Sequence, residues 1–265
     1  MSVIKFKHFL YLPIVLLLFS GANTVAKTKN IPKKVIQVRS DLWCPYTCEE
    51  SSENPGIIIE LSQKILEPEG YVLDYKLLNW SRAIEDTRMG KYDAIAGAAQ
   101  SDAPDFIFPK EHQSLVKYSF FVLKDSPLVY QSHESFQEKG LGVIADYAYD
   151  EKTSSLMKEK KSWITQVTGD DGLNQLVKML KARRIGAFIE NPAVFYDFLN
   201  KNKLNKEDFK VIGSPNMVPQ KVYIAFSPKF SDAKKVSEII TQGMNKLKKE
   251  GTLKKLIQKY QLDGI

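Results

Sequence analysis

Residues 79–97 read Asn-Trp-Ser-Arg-Ala-Ile-Glu-Asp-Thr-Arg-Met-Gly-Lys-Tyr-Asp-Ala-Ile-Ala-Gly, and this segment constrains the architecture more than any other. Its pattern predicts a short helix over residues 81–90 and then a buried strand over residues 93–97. The same layout recurs 93 residues further along, with a helix expected over residues 171–180 and a strand over residues 185–190. Two similar α/β halves predict two lobes with a cleft between them.

The flanking segments extend each half into an open, mostly parallel sheet. A strand over residues 35–40, a helix opened by Pro55-Gly56 and a strand over residues 72–78 precede the first motif, so residues 35–98 run β-α-β-α-β. Residues 99–118 are loop-like, and two amphipathic helices end the chain. Further strands are predicted over residues 120–124, 128–131, 140–145, 209–213 and 222–227.

The first 26 residues differ from the rest and have the pattern of a signal peptide. Lys5 and Lys7 precede an apolar run, and small and polar residues follow it up to Ala26. A membrane anchor is the alternative, but the run is shorter than the ~20 apolar residues a bilayer needs, and Pro13 interrupts it. We therefore expect export to the periplasm with cleavage near Ala26.

The charge of the chain does not indicate nucleic-acid binding. The formal net charge is +7, but no aromatic residues interleave with the basic ones as they do in nucleic-acid-binding surfaces. The densest lysines alternate with leucines at helical spacing, which is typical of the solvated face of an amphipathic helix. They are Lys246, Lys248, Lys249, Lys254, Lys255 and Lys259.

The two cysteines, Cys44 and Cys48, lie in Trp-Cys-Pro-Tyr-Thr-Cys. A catalytic dithiol is one interpretation, but three residues separate the cysteines instead of two, and the segment follows a strand instead of opening a helix. In an oxidising compartment the pattern favours a structural disulfide. A metal site is disfavoured because His112 and His133 have no cysteine or histidine near them in sequence.

Candidate ligand-binding residues follow from the rule that ligands lie beyond the carboxyl ends of strands in open α/β sheets. Aromatic residues could form flat walls, Arg82 could pair with a carboxylate, and Glu190 or Asp171 could receive an ammonium group. Each has a structural alternative: Trp80 could pack at a helix entry, Arg82 could pair with Asp86, and Asp171 could be an N-cap. The candidates are Trp43, Tyr46, Trp80, Arg82, Ala98, Ser101, Tyr147, Asp171, Glu190 and Asn191.

No catalytic constellation occurs in the sequence. It has no Gly-x-Ser-x-Gly, no phosphate loop, no His-Glu-x-x-His and no glycine-rich dinucleotide fingerprint. We therefore expect a non-enzymatic protein without a cofactor.

Six segments, in their order and spacing, match one known family. They are Pro55-Gly56-Ile57-Ile58-Ile59-Glu60-Leu61, Gly90-x-Tyr92-Asp93-Ala94, Leu141-Gly142-Val143, Arg183-Arg184-x-Gly186-Ala187-Phe188, Tyr223-Ile224-Ala225-Phe226-Ser227-Pro228 and Gly251-Thr252-Leu253-x-x-Leu256-Ile257-x-Lys259-Tyr260. On these segments the chain resembles the bacterial periplasmic solute-binding proteins of family 3, the polar amino-acid-binding group.

This resemblance implies a two-lobed periplasmic-binding-protein fold of type II with a two-stranded hinge. It implies a signal peptide at 1–26, lobe 1 at 27–120 plus 224–265, and lobe 2 at 121–223. A monomer would trap a small polar solute and deliver it to an inner-membrane transporter permease. The alternatives are a sensory partner of a membrane receptor and, on the same fold, a dehydratase with Glu190 or Asp171 as general acid.

The chain departs from the family where a ligand carboxylate is usually bound. Amino-acid binders of this family carry Thr-x-x-Arg after the last strand of the first half, but residues 100–106 contain no arginine. The acidic partner for a ligand amine falls near Asn191, with Glu190 one position away. Trp80 and Arg82 match a Trp-x-Arg subset of the family, and Gly97 is expected to face Glu190 across the cleft.

Overall fold

The computed structural model describes residues 1–3, 33–169, 171–215 and 218–262. Residues 4–26 of the predicted signal peptide, with its cleavage point, lie outside the described residues. Within the described ranges, the structure contains no helix with the length and hydropathy needed to cross a membrane.

Ten strands and seven α-helices form among the described residues. The strands are β1 (Lys34–Ser40), β2 (Tyr71–Leu77), β3 (Ala94–Ala98), β4 (Ser114–Val116), β5 (Ser119–Leu123), β6 (Leu141–Ile144), β7 (Ile164–Val167), β8 (Ala187–Glu190), β9 (Phe209–Gly213) and β10 (Gln220–Phe226). The helices are α1 (Ile57–Leu66), α2 (Trp80–Arg88), α3 (Glu151–Lys158), α4 (Gly172–Lys181), α5 (Pro192–Lys201), α6 (Ala233–Lys249) and α7 (Thr252–Lys259).

These elements build two mixed sheets, each flanked by helices. The first sheet has the order β2-β1-β3-β10-β4, and the second has the order β7-β6-β8-β5-β9. Strands β1, β2 and β3 of the first sheet run parallel, as do β6, β7 and β8 of the second. In each sheet the parallel strands therefore end at one edge, and the loops that follow them share that edge.

The chain passes from one sheet to the other twice, which makes a two-stranded connection. The first crossing, at residues 117–118, joins β4 to β5, and the second joins β9 to β10. Asn191 Nδ2 donates to the carbonyl of Lys117 at 3.1 Å, and Ser214 Oγ donates to the carbonyl of Tyr118 at 2.6 Å. The expected lobe boundaries after residue 120 and before residue 224 fall inside β5 and β10, so we propose that the lobes meet at these crossings instead.

The expected repeat is present in both lobes. The helix and strand expected over residues 81–90 and 93–97 are α2 and β3, and their counterparts in the second lobe are α4 and β8. In lobe 2 the ring of Phe195 on α5 packs 4.4 Å from Phe121 on β5 and 5.1 Å from Phe188 on β8. This aromatic packing fixes α5 against β8 immediately before the end of that strand.

Several local predictions differ from the structure. The strand predicted over residues 128–131 is wrong, because that segment pairs with no strand, and β5, which precedes it, is already paired with β8 and β9. That segment instead packs Tyr130 onto Phe120, with ring centroids 4.5 Å apart. The prediction omitted β4, α3, β7 and α5, although Asn191-Pro192 is a recognisable helix start for α5.

Helix α1 holds the loop that follows β1. The backbone N–H groups of Ile57 and Ile58 donate to the carbonyls of Pro45 and Tyr46 at 2.9 and 3.1 Å. These bonds satisfy donors that a helix N-terminus leaves without an internal partner. Gly56 makes the approach possible, because its φ is 100° and a Cβ there would lie 2.4 Å from the Tyr46 carbonyl oxygen.

We predict that Gly56→Ala strongly destabilises the protein. Gly251→Ala is the matched control, because Gly251 also has a positive φ, 75°, but has no atom within 4 Å of the added Cβ. The control should cost about 1 kcal/mol from backbone strain alone, or roughly 2–4 °C in Tm. Gly56→Ala adds a clash with backbone and should lower Tm at least about twice as much. Equal losses in thermal denaturation would contradict this account of the loop.

Candidate functional site

The loops at the adjoining sheet edges enclose a cavity of about 330 Å³ between the lobes. Lobe 1 contributes the loop after β1 and the first turn of α2. Lobe 2 contributes the end of β6, the entry to α4, the end of β8 and one face of α5. The lining segments fall within residues 41–49, 79–81, 144–147, 168–174, 190 and 194–202.

One side-chain hydrogen bond crosses directly from lobe 1 to lobe 2. Trp43 Nε1 donates to Glu190 Oε1 at 3.2 Å, although the two residues are 147 positions apart in sequence. The backbone N–H of Asn191 donates to the same oxygen at 2.6 Å. Glu190 is the last residue of β8 and is 1% exposed, so its carboxyl group is buried in the cavity wall.

Burial determines the protonation of Glu190. Removal from water raises the pKa of its carboxyl to about 8, with a smaller contribution from the negative charge of Asp41. The Asn191 N–H and the Trp43 indole oppose that rise because they stabilise the ionised form. In the closed arrangement Glu190 is therefore mostly protonated at neutral pH.

Two further pairs join the lobes. Tyr147 Oη donates to Asp41 Oδ2, and Ser81 Oγ donates to the carboxylate of Asp146. Asp41 and Ser81 belong to lobe 1, and the other two residues follow β6 in lobe 2. Together with the bond between Trp43 and Glu190, these contacts define a closed arrangement of the lobes.

Trp43 occupies the space where Gly97 was expected to face Glu190. A Cβ on Gly97 would lie 3.7 Å from Trp43 Cε3, so the indole packs beside this glycine while its N–H reaches Glu190. The Tyr46 ring stacks on Trp43 at 4.4 Å. Trp43 and Tyr46 thus form an aromatic wall beside residue 97.

The disulfide predicted between Cys44 and Cys48 is confirmed. It closes the loop that carries Trp43, within which the backbone N–H of Trp43 donates to the Thr47 carbonyl at 2.8 Å. The loop is therefore constrained by a covalent ring as well as by α1. Cys44 itself lies in the cavity wall.

The structure brings five of the predicted site residues to the cavity: Trp43, Trp80, Tyr147, Asp171 and Glu190. Asp171 occupies the N-cap position of α4, but its carboxylate makes no capping bond and accepts from Asn174 Nδ2 at 2.8 Å instead. The carboxylate therefore remains at the cavity wall.

The other predicted residues lie elsewhere. Arg82 points outward, and its side chain is 64% exposed. Its Nε lies 3.4 Å from Asp86 Oδ2, so Arg82 pairs with Asp86, as the alternative to a ligand-binding role predicted. Asn191 caps α5 and donates a hydrogen bond to the Lys117 carbonyl in the first crossing. Tyr46 and Ala98 are buried and do not line the cavity. Ser101 lines a separate groove between α2 and α3.

Several residues at the cleft were not among the candidates. Asp41 follows β1 directly, so the strand-end rule could have identified it. Asp102 accepts from the Ala99 N–H at 2.7 Å, and burial raises the pKa of Asp102 to about 7. Asp197 and Lys201 reach the cavity on α5, a helix that the sequence analysis did not predict. Among the described residues, no group of three or more potential ligands is arranged to hold a metal ion.

We predict a pH-dependent difference in stability between the wild type and Glu190→Gln. The folded-state pKa of Glu190 is about 8 against an ordinary value of 4.5, so between these values the folded protein binds more protons than the unfolded one. Raising pH from 5 to 8 should therefore lower the free energy of unfolding of the wild type relative to the variant, by up to ~1.4 kcal/mol per pH unit, and the Tm of the wild type should fall with it.

Other groups facing Glu190 are present in both proteins, so their titration cancels in this comparison. They are Asp41, Tyr118, Tyr147 and Tyr149. Parallel Tm curves over this range would mean that Glu190 is not buried in the ligand-free protein.

The sequence of this chain is similar to those of known bacterial proteins. The model of the family "Bacterial extracellular solute-binding proteins, family 3" matches residues 36–263. The probable amino-acid-binding protein YxeM of Bacillus subtilis is 24% identical over 223 residues, which cover 82% of this chain and 79% of that protein. A probable amino-acid ABC transporter-binding protein of Haemophilus influenzae is 22% identical over 189 residues, covering 69% and 70%.

The fold is also that of solved two-lobed proteins. A histidine kinase sensor domain with similarity to periplasmic binding proteins superimposes with a TM-score of 0.69 at 19% identity, covering 86% of this chain and 96% of that one. The expected type II fold, α/β with two mixed sheets, is thereby confirmed. With its family model matched over nearly all the described residues, the chain belongs to the bacterial extracellular solute-binding proteins, family 3.

Proposed function

We propose that this protein binds a small polar solute in the cavity between its lobes and delivers it to an ABC transporter in the inner membrane. The observation that carries the proposal is the pair of cross-lobe contacts, Trp43 with Glu190 and Asp41 with Tyr147, at the wall of one cavity. A ligand that touches both walls binds the closed form better than the open form and so shifts the equilibrium towards closure.

The size of the cavity favours a solute of amino-acid dimensions. A volume of about 330 Å³ is at the lower end of the range for small-molecule sites. Its wall combines aromatic faces with a few carboxyl groups, a composition suited to a small amphipathic solute. The amino-acid-binding descriptions of the two relatives support the same size class.

We also propose a cellular location and a partner for this protein. The amino-terminal segment would direct export to the periplasm and be cleaved near Ala26, leaving a monomer that meets the transporter permease. The description of the Haemophilus influenzae relative as an ABC transporter-binding protein supports delivery to a permease. We propose binding without turnover, because the cavity carboxylates Glu190 and Asp171 bond to groups that position them, an indole, an amide and a backbone N–H.

Replacing Trp43 tests the cavity as the binding site. Trp43→Ala removes an aromatic wall and the cross-lobe hydrogen bond, so the Kd of any bound solute should rise about tenfold or more. Trp163→Ala is the matched control, because Trp163 lies in lobe 2 outside the cavity wall and should leave Kd unchanged. Solutes are found by differential scanning fluorimetry against amino acids, amines and organic acids, and Kd is measured by calorimetry.

Two results would contradict the proposal. One is the absence of stabilisation by every small polar solute tested, and the other is an unchanged Kd in Trp43→Ala. A pulldown with the tagged mature chain tests delivery separately. Recovery of a transporter permease supports the proposal, whereas recovery of a kinase or cyclase alone would assign the protein to ligand sensing.

A further inference from the structure

We infer that the solute is an organic cation that carries an amine or guanidinium group and lacks a carboxylate. This inference rests on the proposed function and specifies the chemical class of the ligand for the same cavity. It follows from the charges at the cavity wall, the position of every arginine, the free oxygen of Glu190 and the aromatic faces.

The ionisable groups at the cavity wall are predominantly acidic. Lys201 is the one basic residue among the described lining residues, and its Nζ lies 2.9 Å from Asp197 Oδ2. In this ion pair the carboxylate of Asp197 neutralises the positive charge of Lys201. Asp41, Glu49, Asp171 and Glu190 also line the cavity, and no second basic residue occurs among the described lining residues. The cavity therefore favours a positively charged ligand.

No arginine is available to bind a ligand carboxylate. Recognition of a carboxylate usually relies on a guanidinium that donates two parallel hydrogen bonds. All five arginines of the sequence lie outside the cavity lining, and four are paired with carboxylates elsewhere. The pairs are Arg39 with Asp74, Arg82 with Asp86, Arg88 with Asp105 and Arg183 with Asp125, and Arg184 is exposed.

Helix α4 offers a weaker alternative for a carboxylate. Its first residues, Gly172 to Asn174, line the cavity, and a helix N-terminus attracts anions. However, Asp171 already places a negative charge at this N-terminus. A ligand carboxylate there would face Asp171 at close range, and that repulsion disfavours it.

Glu190 supplies a binding group for the cation. Both of its hydrogen bonds go to Oε1, and among the described residues Oε2 receives none. Burial favours the protonated form of this carboxyl, so a charged partner is needed to hold Glu190 in its ionised form. A ligand ammonium or guanidinium that donates to Oε2 would provide that partner in the closed state.

The aromatic residues suit the same ligand. Trp43, Trp80, Tyr147 and Phe198 all line the cavity. Indole and phenol faces attract cations within about 6 Å, and they also pack against methylene groups. A cationic head on an alkyl chain satisfies both properties of this wall.

Matched pairs of ligands test the inference. Calorimetry with the mature protein at pH 7.5 would compare agmatine with arginine, cadaverine with lysine and putrescine with ornithine, since each pair differs only by the carboxylate. The decarboxylated member of at least one pair should bind about tenfold or more tightly than its amino acid. Equal or tighter binding of the amino acids would overturn the inference and indicate that α4 holds the carboxylate.

The results of these titrations distinguish a wrong ligand class from a failure of the proposed function. If a neutral or anionic solute binds and none of the amines does, the ligand class is wrong and solute binding stands. If no solute of any class binds, the proposed function fails and the inference fails with it.

Variants at the wall give a second readout. Asp171→Asn and Glu190→Gln should each raise the Kd for the best amine about tenfold, whereas Asp125→Asn, an exposed carboxylate paired with Arg183, should not change it.

Because Glu190 must release its proton to bind a cation, wild-type affinity should rise between pH 6 and pH 8, by up to about tenfold per unit. Asp102 and the groups facing Glu190, namely Asp41, Tyr118, Tyr147 and Tyr149, remain in Glu190→Gln, so a flatter profile in that variant isolates Glu190.

Discussion

The hydrogen bond from the Trp43 indole to the Glu190 carboxyl is the contact on which the closed structure depends. It joins a loop of lobe 1 to the last residue of a strand in lobe 2, across the cavity. Burying Glu190 is unfavourable without such a partner, because a carboxyl loses its hydration on closure. The indole N–H and the Asn191 backbone N–H both donate to one oxygen of this carboxyl, and we propose that the other receives the ligand.

The rest of lobe 1 holds Trp43 in place for this contact. The disulfide between Cys44 and Cys48 closes the loop, and the N-terminus of α1 donates to its carbonyls. Gly56 permits that close approach, and Gly97 lies beside the indole. The disulfide, α1 and the absence of a side chain at residue 56 together hold the loop in the position from which Trp43 reaches Glu190.

The groups that join the two lobes also line the cavity proposed to bind the solute. Glu190, Asp41 and Tyr147 bond across the lobes and also line the cavity, so a ligand that changes their charge or their partners changes the stability of the closed state. The high pKa of Glu190 links this equilibrium to protons, since ionisation of the buried carboxyl favours a cationic partner. In the proposed function, the same charged groups would therefore govern both solute recognition and lobe closure.

The sequence by itself determined the repeated α/β units, the two-lobed architecture and the position of Glu190 at a strand end, because hydrophobic periodicity and helix signals are local. The sequence left open whether Arg82 pairs with Asp86 or points into the cleft, and it did not predict α5, which forms one wall of the cavity. Tertiary structure decided that Trp43 would lie between Gly97 and Glu190 and that Asp41 would meet Tyr147. The contacts of Trp43 with Glu190 and of Asp41 with Tyr147 join residues 147 and 106 positions apart, and their geometry depends on how the two lobes meet, which no local pattern encodes.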